Sequence, residues 1–236
     1  MKTVLITGGS KGIGKCLALS FRKEMYNVII TYNNSSESAR ELETIGIIIY
    51  KMDISNFDEC SNVLCNILKS HTINILINNA GILSNSLFHK MQPNEWCKVI
   101  TTNLESLFYI TKPVIIQMLE NKNGGKIINI SSVYGLKASK GQSNYCSSKF
   151  GVIGFTKSLA LEYSDKNILV NCICPGLVDT DMISTINPVI KNKLIDNLLI
   201  KKLIPPIEIY KTVKFLVDSN YITGTTISID CGMSCQ

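Results

Sequence analysis

Short apolar runs alternate with longer segments of helical periodicity along the chain. The runs are rich in Ile, Val and Leu without polar alternation, which is typical of strands buried on both faces of a parallel sheet. Seven strands are predicted, at residues 4–7, 27–32, 47–50, 73–77, 126–130, 168–174 and 226–229. Helical segments separate them, and no linker or repeat interrupts the order. The pattern predicts one α/β domain over residues 1–236, with a doubly wound parallel sheet flanked by helices.

Turn and capping residues set the expected helix ends. Ser55 is predicted to cap the helix that follows the third strand. A long helix is predicted at 93–121, with a kink or break at Pro113, and Gly124 with Gly125 is expected to end it. Asn103 lies in the middle of that helix, where asparagine is unfavourable. Further helices are predicted at 143–161, 183–204 and 206–217.

A glycine-rich turn joins the first predicted strand to the first predicted helix. The turn runs from Gly8 to Gly14 in the spacing G-x-x-x-G-x-G. Glycines let backbone N–H groups approach a pyrophosphate, and the N-terminus of the following helix adds a partial positive charge. The order of strand, turn and helix favours a dinucleotide site. A tight β–α turn without a ligand remains the alternative.

The end of the second predicted strand bears on the choice of cofactor. In folds that bind NAD, an acidic residue near this point accepts a hydrogen bond from the ribose 2′-hydroxyl. Tyr32, Asn33 and Asn34 occupy this point, and the first acid, Glu37, comes only in the next helix. Lys11 brings a cation into the glycine turn. These features favour NADP(H), while Lys11 taken alone is equally compatible with a solvated loop lysine.

Tyr145 and Lys149 are four residues apart on a predicted helix, which places both side chains on one face. A free phenol has a pKa of about 10, and a nearby ammonium is expected to lower it. The pair is a candidate acid, although the same spacing is common in exposed helix turns.

The amides and glycine at 78–81, just after the fourth strand, point to a ligand crevice at the carboxyl end of the sheet.

Composition and charge argue against several classes of protein. The formal net charge is +6, from 24 basic and 18 acidic residues spread along the chain, so nucleic-acid binding is not predicted. No apolar run approaches the ~20 residues of a membrane span, and no secretory leader is recognised. The nine cysteines contain no C-x-x-C pair, so no metal site is expected. Free thiols in the cytoplasm are the expectation.

The motifs taken together resemble the short-chain dehydrogenase/reductase family over the whole chain. They are the turn Gly8–Gly14, Asn78-Asn79-Ala80-Gly81, Asn103, Ser132, Tyr145-x-x-x-Lys149 and Pro175-Gly176. Finer motifs, among them Thr180-Asp181-Met182, are similar to those of 3-oxoacyl-[acyl-carrier-protein] reductases and acetoacetyl-CoA reductases. The resemblance implies a single-domain Rossmann fold that binds NADP(H).

The same resemblance implies four catalytic residues. Tyr145 would donate a proton to the substrate carbonyl oxygen, and Ser132 would hydrogen-bond that oxygen. Lys149 would lower the pKa of Tyr145 and bind the nicotinamide ribose, and Asn103 would hold a water that returns protons to Lys149. Ser131 is adjacent, but Ser132 lies thirteen residues before Tyr145, the usual offset in this branch.

A larger set of cofactor-binding residues is also implied. Asp53 would meet the adenine ring, Asn79 would lie near the adenosine ribose, and Thr180 would lie near the nicotinamide amide. The full set is Gly8, Ser10, Lys11, Gly12, Ile13, Gly14, Asn33, Asp53, Ile54, Asn79, Ala80, Gly81, Tyr145, Lys149, Pro175, Gly176, Val178 and Thr180.

The implied reaction is NADPH-dependent reduction of a 3-oxoacyl thioester, of the kind found in fatty-acid synthesis, by a homotetramer. The predicted helices at 93–121 and 143–161 would be buried between subunits, where Ile153, Phe155 and Leu159 suit either a subunit contact or an ordinary core. The segment 177–206 would form a substrate lid.

The carrier and the substrate stay open in this interpretation. Lys122, Lys126 and Lys166 are candidate contacts for an acidic acyl carrier protein. Asn123 stands where arginine is usual, however, and residues 199–206 depart from the usual pattern, so a CoA thioester remains an alternative. Another small ketone or alcohol, such as a sugar, polyol or steroid, is a second alternative. A non-catalytic nucleotide-binding module is a third, and it predicts decayed catalytic positions.

Overall fold

A seven-stranded parallel sheet forms the centre of the protein in the computed structural model, which describes residues 1–235 apart from the side chain of Met182. The predicted domain end at Gln236 lies outside the described residues, as does the Met182 side chain of the predicted Thr180-Asp181-Met182 motif. All seven predicted strands are confirmed, with ends shifted by at most two residues. The strands are β1 (Thr3–Thr7), β2 (Asn27–Tyr32), β3 (Ile48–Lys51), β4 (Ile75–Asn78), β5 (Gly125–Ile130), β6 (Ile168–Pro175) and β7 (Thr226–Ile229).

The strand order is β3-β2-β1-β4-β5-β6-β7, and every pair is parallel. The order reverses at β1, where Val4 pairs with Val28 on one side and with Ile75 on the other. The connections after β1 and β4 leave toward opposite faces of a doubly wound sheet, which opens a crevice at the carboxyl ends of these two strands. The predicted fold class is confirmed.

Helices cover both faces of the sheet. In the described part of the chain they are α1 (Gly12–Lys23), α2 (Ser36–Glu43), α3 (Phe57–Ser70), α4 (Pro93–Ile100), α5 (Ser106–Asn121), α6 (Ser143–Tyr163), α7 (Asp181–Ser184), α8 (Pro188–Asp196) and α9 (Pro206–Asp218). One apolar core lies under α1 and α9, where Phe21 packs edge-on against Tyr210. The other lies under α3 and α5. Burial on both faces explains why the strands lack polar alternation.

The long helix predicted at 93–121 is interrupted at a different residue from the one expected. A π-helical turn, Thr101–Glu105, separates α4 from α5, and Asn103 lies inside this turn. A kink or a break was predicted at Pro113; α5 continues through this residue, so a break there is wrong, and the kink stays a prediction. Proline removes one hydrogen bond to the preceding turn. Burial of Val114, Ile115 and Met118 against the sheet outweighs that loss.

Two other helix ends differ from expectation. Asn56, and not Ser55, caps α3, because the Asn56 side chain accepts from the backbone N–H of Glu59 at 3.0 Å. α5 ends before Lys122, which adopts a left-handed conformation with φ 54°, and Gly125 already begins β5.

The helix predicted at 183–204 divides into α7 and α8, followed by irregular chain. Pro188 begins α8, a position that proline favours because the first N–H of a helix has no partner within the helix.

Candidate functional site

The turns after β1, β4, β5 and β6 meet at the carboxyl edge of the sheet. They bring together four of the sequence motifs: the glycine turn, residues 78–81, Ser132, and Pro175 with Gly176. α6 then carries Tyr145 and Lys149 across the same edge. Parallel strands place their carboxyl ends side by side, so segments far apart in the chain form one site.

The glycine turn has a backbone shape that side chains would disturb. Gly8 and Gly12 have positive φ angles of 63° and 51°. A Cβ on Gly14 would collide with the carbonyl oxygen of Gly8, and a Cβ on Gly12 would lie 3.3 Å from Thr180 Cγ2. The turn therefore packs closely against itself, against Thr180 and against the segment after β4, and side chains larger than hydrogen do not fit at these glycines.

Asn79 holds the glycine turn in place. Its Nδ2 donates to the carbonyl oxygens of Thr7 and Gly8, at 2.9 and 3.2 Å. The hydroxyl of Thr7 accepts from the backbone N–H groups of Asn79 and Ala80, at 3.0 and 3.1 Å. The structure thus gives Asn79 a bracing role, and its predicted contact with an adenosine ribose stays a prediction. Thr7 was missed as a supporting residue, since a threonine at a strand end carries no distinctive signal.

The N-terminus of α1 fits a pyrophosphate. α1 has no side-chain cap at Lys11 and no acidic residue in its first turn. Its first backbone N–H groups are therefore available to an anion, and the helix dipole favours negative charge at this end. Ser10, Ile13 and Gly14 belong to this turn or to the first turn of α1, and their predicted contacts with a cofactor stay predictions.

Asn33 and Asp53 come together at the end of β2. Asp53 loses solvation on partial burial, which raises the pKa of its carboxyl group, but hydrogen bonds from Ser55 and Asn33 outweigh this and lower the pKa overall. The Ser55 hydroxyl donates to Asp53 Oδ1 at 2.7 Å. Asp53 is therefore a fixed, charged acceptor, and Ser55 orients it instead of capping α3. Ile54 is buried beside it.

Ser132 and Tyr145 form a hydroxyl pair, and Ser131 points elsewhere. Ser132 Oγ accepts from the backbone N–H of Tyr134 at 3.2 Å, and the hydroxyl is hydrogen-bonded to Tyr145. Ser131 Oγ instead donates to the carbonyl oxygen of Lys149 at 2.8 Å. The register of β5 therefore directs Ser132, and not Ser131, to the tyrosine.

Burial controls the proton affinities of Tyr145 and Lys149. Burial raises the pKa of Tyr145 to about 12, against a lowering by the hydrogen bond with Ser132. Burial also lowers the pKa of Lys149 to about 8. Lys149 Nζ donates to the carbonyl oxygen of Ile130 at 2.9 Å and lies 5.7 Å from the centroid of the Tyr145 ring. The pKa of Tyr145 is raised overall because burial of the phenol dominates, and the expected lowering of that pKa by Lys149 stays a prediction.

Asn103 is buried, and both the oxygen and the nitrogen of its side-chain amide are hydrogen-bonded. Its Oδ1 accepts from the backbone N–H of Ile82 at 2.8 Å, while its Nδ2 donates to the Ile82 carbonyl oxygen and to Ser148 Oγ. A Cβ on Gly81 would lie 3.2 Å from Asn103 Oδ1 and 3.5 Å from Lys149 Nζ. Asn103 thus lies beside Lys149 and ties α6 to the chain after β4. The water-holding role stays a prediction. Ser148 was missed by sequence reasoning.

The segment after β6 forms the opposite wall of the crevice. Gly176 leaves no room for a Cβ against the backbone of Asp230, and Pro175 is buried. Val178 is buried and bridges to Ile204, so the two ends of the predicted lid are joined. Thr180 lies across from Gly12, and its predicted place near the nicotinamide amide stays a prediction.

The candidate carrier-binding lysines lie at the opposite edge of the sheet. Lys126 is at the start of β5, roughly 20 Å from Ser132 at the usual strand rise, and it contacts the backbone of Ser219. Lys166 pairs with Asp165 at 2.8 Å. Lys122 also precedes β5. Within this chain they are therefore not beside the site, contrary to the prediction, because all three lie at or just before the amino ends of strands and the site lies at the carboxyl ends.

The fold and the site define a dinucleotide-binding α/β protein with a tyrosine–lysine pair at its carboxyl edge. The family model described as short chain dehydrogenase matches residues 2–190. The chain belongs to the short-chain dehydrogenase family, and it is an oxidoreductase of ketone and alcohol groups that uses a nicotinamide cofactor. No helix among residues 1–235 is long and apolar enough to cross a membrane.

Curated relatives match over nearly the whole chain. The acetoacetyl-CoA reductase of Shinella zoogloeoides is 39% identical over 98% of this chain and 98% of its own length. The 3-oxoacyl-[acyl-carrier-protein] reductase FabG of Chlamydia trachomatis is 39% identical over 99% of this chain and 97% of its own length. A variant of the actinorhodin polyketide ketoreductase, crystallised with NADPH, matches with a TM-score of 0.92 at 26% identity, covering 100% of this chain and 98% of that one.

Proposed function

We propose that the protein reduces a 3-oxoacyl thioester, carried on acyl carrier protein or CoA, to the 3-hydroxyacyl thioester with NADPH. The observation that carries the proposal is the hydroxyl pair of Ser132 and Tyr145, backed by the buried Lys149 at the same edge as the glycine turn. Relatives of both substrate types, at 39% identity each, support the thioester class and leave the carrier open.

The proposed chemistry divides the work among four side chains. NADPH supplies the hydride when bound. Tyr145, whose pKa of about 12 keeps it protonated at neutral pH, donates its proton as the substrate carbonyl oxygen becomes negative. Ser132 donates a hydrogen bond to the same oxygen. Lys149 stabilises the resulting phenolate, and Asn103 supports proton return to Lys149.

The residues at the end of β2 are the reason that NADPH, and not NADH, is proposed as the cofactor. Asn33 and Asn34 are exposed there, and Lys11 is exposed at the α1 N-terminus. An amide pair and a cation favour a 2′-phosphate, whereas a carboxylate would repel it. Asp53, which Asn33 contacts, is proposed to meet the adenine ring.

Residues 177–206 are proposed as the substrate lid of a single NADP-binding domain. α8 has no buried residue, and Val189 and Ile190 are exposed on it. Leu198, by contrast, is buried, so the end of the segment is anchored while its centre is not. An apolar, loosely packed segment over the crevice suits the covering of an acyl chain.

We also propose that the protein forms a homotetramer and is located in the cytoplasm. Leu161 and Phe150 of α6 and Phe108 of α5 are exposed apolar residues. Ile153, Phe155 and Leu159, which sequence reasoning considered for subunit contacts, pack instead against the core of their own chain. All nine cysteines are free, as expected for thiols in a reducing compartment.

The decisive experiment mixes purified protein with NADPH and a panel of ketones. Acetoacetyl-CoA should cause loss of nicotinamide absorbance, and NADH should replace NADPH poorly. Tyr145→Phe should lower turnover by at least about 10²-fold, because only the proton donor is lost. NADPH binding by the variant, followed by fluorescence, should stay within a few-fold of wild type.

Two results would contradict the proposal. Turnover of a sugar, polyol or steroid ketone without any thioester turnover would assign a different substrate. A preference for NADH would overturn the interpretation of Lys11 and Asn33.

A further inference from the structure

A compact turn follows β7 at residues 230–235 and is called the C-terminal turn below. The carboxylate of Asp230 shapes it: Oδ1 accepts from the backbone N–H of Gly232 at 3.0 Å, and Oδ2 accepts from that of Ser234 at 2.8 Å. Burial alone would raise the pKa of the Asp230 carboxyl group, but its hydrogen bonds lower this pKa overall. Asp230 is therefore a charged, buried acceptor that fixes the backbone of the turn.

The C-terminal turn holds the end of the proposed substrate lid. The backbone N–H of Ile200 donates to the carbonyl oxygen of Cys231 at 3.2 Å, and the Cys231 thiol donates to the carbonyl oxygen of Lys202 at 3.6 Å. Leu199 packs on Gly232, which has a φ angle of 78° and whose added Cβ would lie 2.5 Å from Leu199 Cδ1. A larger residue in place of this glycine would therefore push the lid away from the turn.

The same turn contacts two segments of the candidate site. Gly176, which follows β6, lies so close to the turn that a Cβ on it would be 2.7 Å from the Cα of Asp230. Lys137 Nζ donates to the carbonyl oxygen of Met233 at 2.9 Å, and Lys137 belongs to the chain between β5 and α6. The C-terminal turn therefore joins the end of the lid to two walls of the crevice.

Burial within the lid is confined to its two ends. Among the lid side chains that the structure describes, the buried ones are Leu177, Val178, Leu198 and Ile204. Val178 and Ile204 form the bridge that closes the base of the lid. The chain between these ends has few buried apolar contacts, so it can open at a low cost in free energy. The contacts with the C-terminal turn are well placed to limit this opening.

We propose that Asp230 is a positioning residue for the substrate lid: by shaping the C-terminal turn, it provides the surface against which the end of the lid packs, and so keeps the lid over the crevice when the acyl thioester binds. The inference rests on the proposed function, in which the lid covers the acyl chain. A substrate that requires the closed lid binds more weakly in proportion to the time that the lid is open.

Asp230→Ala tests the inference through the kinetics of acetoacetyl-CoA reduction. Two backbone N–H groups of the turn lose their acceptor, so the lid should be closed for a smaller fraction of the time. KM for acetoacetyl-CoA should rise about fivefold or more, while kcat and the dissociation constant of NADPH stay within about threefold of wild type. Asp230→Asn keeps one acceptor oxygen and should restore most of the wild-type KM.

Limited trypsin cleavage of the NADPH complex measures the lid without a substrate. Lys193 is exposed on α8, so the rate of cleavage after it reports how often the lid opens. This cleavage should be several-fold faster in Asp230→Ala than in the wild type. Gly232→Ala should give the same two effects with the carboxylate in place, because its Cβ displaces Leu199. This variant tests the inference even where Asp230→Ala does not fold.

Ile67→Ala is the matched control for a general loss of stability. Ile67 is fully buried in the core under α3 and α5, which contains no residue of the lid. The variant should lower the melting temperature and leave both KM for acetoacetyl-CoA and the cleavage rate unchanged.

The outcomes separate this inference from the proposed function. Wild-type KM and wild-type cleavage in folded Asp230→Ala and Gly232→Ala, in a protein that reduces acetoacetyl-CoA, would overturn the role of Asp230 and leave the proposed function intact. An equal weakening of NADPH and acetoacetyl-CoA binding would also overturn it, since the lid would then not be the element affected. Absence of thioester turnover by the wild type would instead reject the proposed function.

Discussion

At Tyr145 and Lys149, burial acts on two neighbouring side chains in opposite directions. Burial favours the neutral, protonated phenol, whose pKa rises to about 12. It also favours the neutral amine over the ammonium, whose pKa falls to about 8. The residue that changes charge first as pH rises is therefore the lysine. A donor tyrosine that stays protonated at neutral pH suits the reductive direction.

The pH dependence of reduction should follow Lys149. The proposed reaction requires Tyr145 protonated and Lys149 charged, and the lysine loses its proton as pH rises through about 8. kcat/KM should be flat near neutrality and then fall about tenfold per pH unit above that point. A profile that stays flat until the phenol itself titrates would show that the lysine charge does not contribute.

The adjacent serines offer a test of the β5 register. Ser132→Ala should lower kcat by about 10²–10³-fold, because a hydrogen bond to the developing negative oxygen is lost. Ser131→Ala should lower kcat by only a few-fold and reduce stability by about 1 kcal/mol, the usual value of a buried hydrogen bond. Steady-state kinetics and urea unfolding of both variants measure the contrast. Equal losses of kcat would contradict the assignment.

At the scale of elements, the irregular turns position the site more than the helices do. The π-helical turn Thr101–Glu105 places Asn103 against Ile82, and the turn after β3 directs Ser55 to Asp53. Asn103 bonds to a segment far away along the chain, whereas Ser55 bonds to a residue just before it and leaves the cap of α3 to Asn56. Local propensity also does not include the burial that keeps α5 continuous at Pro113, so it predicted a break there and a cap at Ser55.

The cap of α3 can be measured directly. Asn56→Ala should lower the free energy of unfolding by about 1 kcal/mol, since the N–H of Glu59 loses its acceptor. Amide exchange at Glu59 should accelerate in this variant. Ser55→Ala should leave that amide protected, because its hydroxyl bonds to Asp53 instead. Faster exchange at Glu59 in Ser55→Ala would restore the original expectation.

At the scale of the whole molecule, exposed apolar side chains on α5 and α6 support the proposed assembly. Leu161 is 86% exposed and Phe150 is 48% exposed on the same helix. Side chains of this kind on neighbouring helices often mark a protein interface. Ordinary core residues of α6 face the sheet, so the outer face is free for a second copy of the chain.

Charge on the outer face of α6 should disrupt the assembly. Phe150→Glu and Leu161→Glu should shift the protein from a tetramer to smaller species in light scattering, because a buried unpaired carboxylate opposes association. Ile45→Glu, at an exposed apolar position after α2, should leave the assembly unchanged. Wild-type protein that is already a monomer would contradict the proposed tetramer.

The sequence by itself determined the architecture and indicated which motifs meet at the carboxyl edge of the sheet. Strand-length apolar runs between helical segments require a parallel sheet covered on both faces, and a glycine turn after the first strand marks its carboxyl edge. The family resemblance, carried by Ser132, Tyr145 and Lys149 among other motifs, implied the chemistry. These features depend on local periodicity and on short motifs, which a chain displays without being folded.

Only the tertiary structure decided which side chains face each other and how burial alters their protons. It directed Ser132 to Tyr145 and Ser131 to the backbone of Lys149, and it moved Lys126 to the far edge of the sheet. It also packed Cys172 and Cys174 of β6 against Val152 of α6, a contact that no spacing indicates. Strand register and desolvation are properties of the packed chain, so neither can be obtained from the order of residues alone.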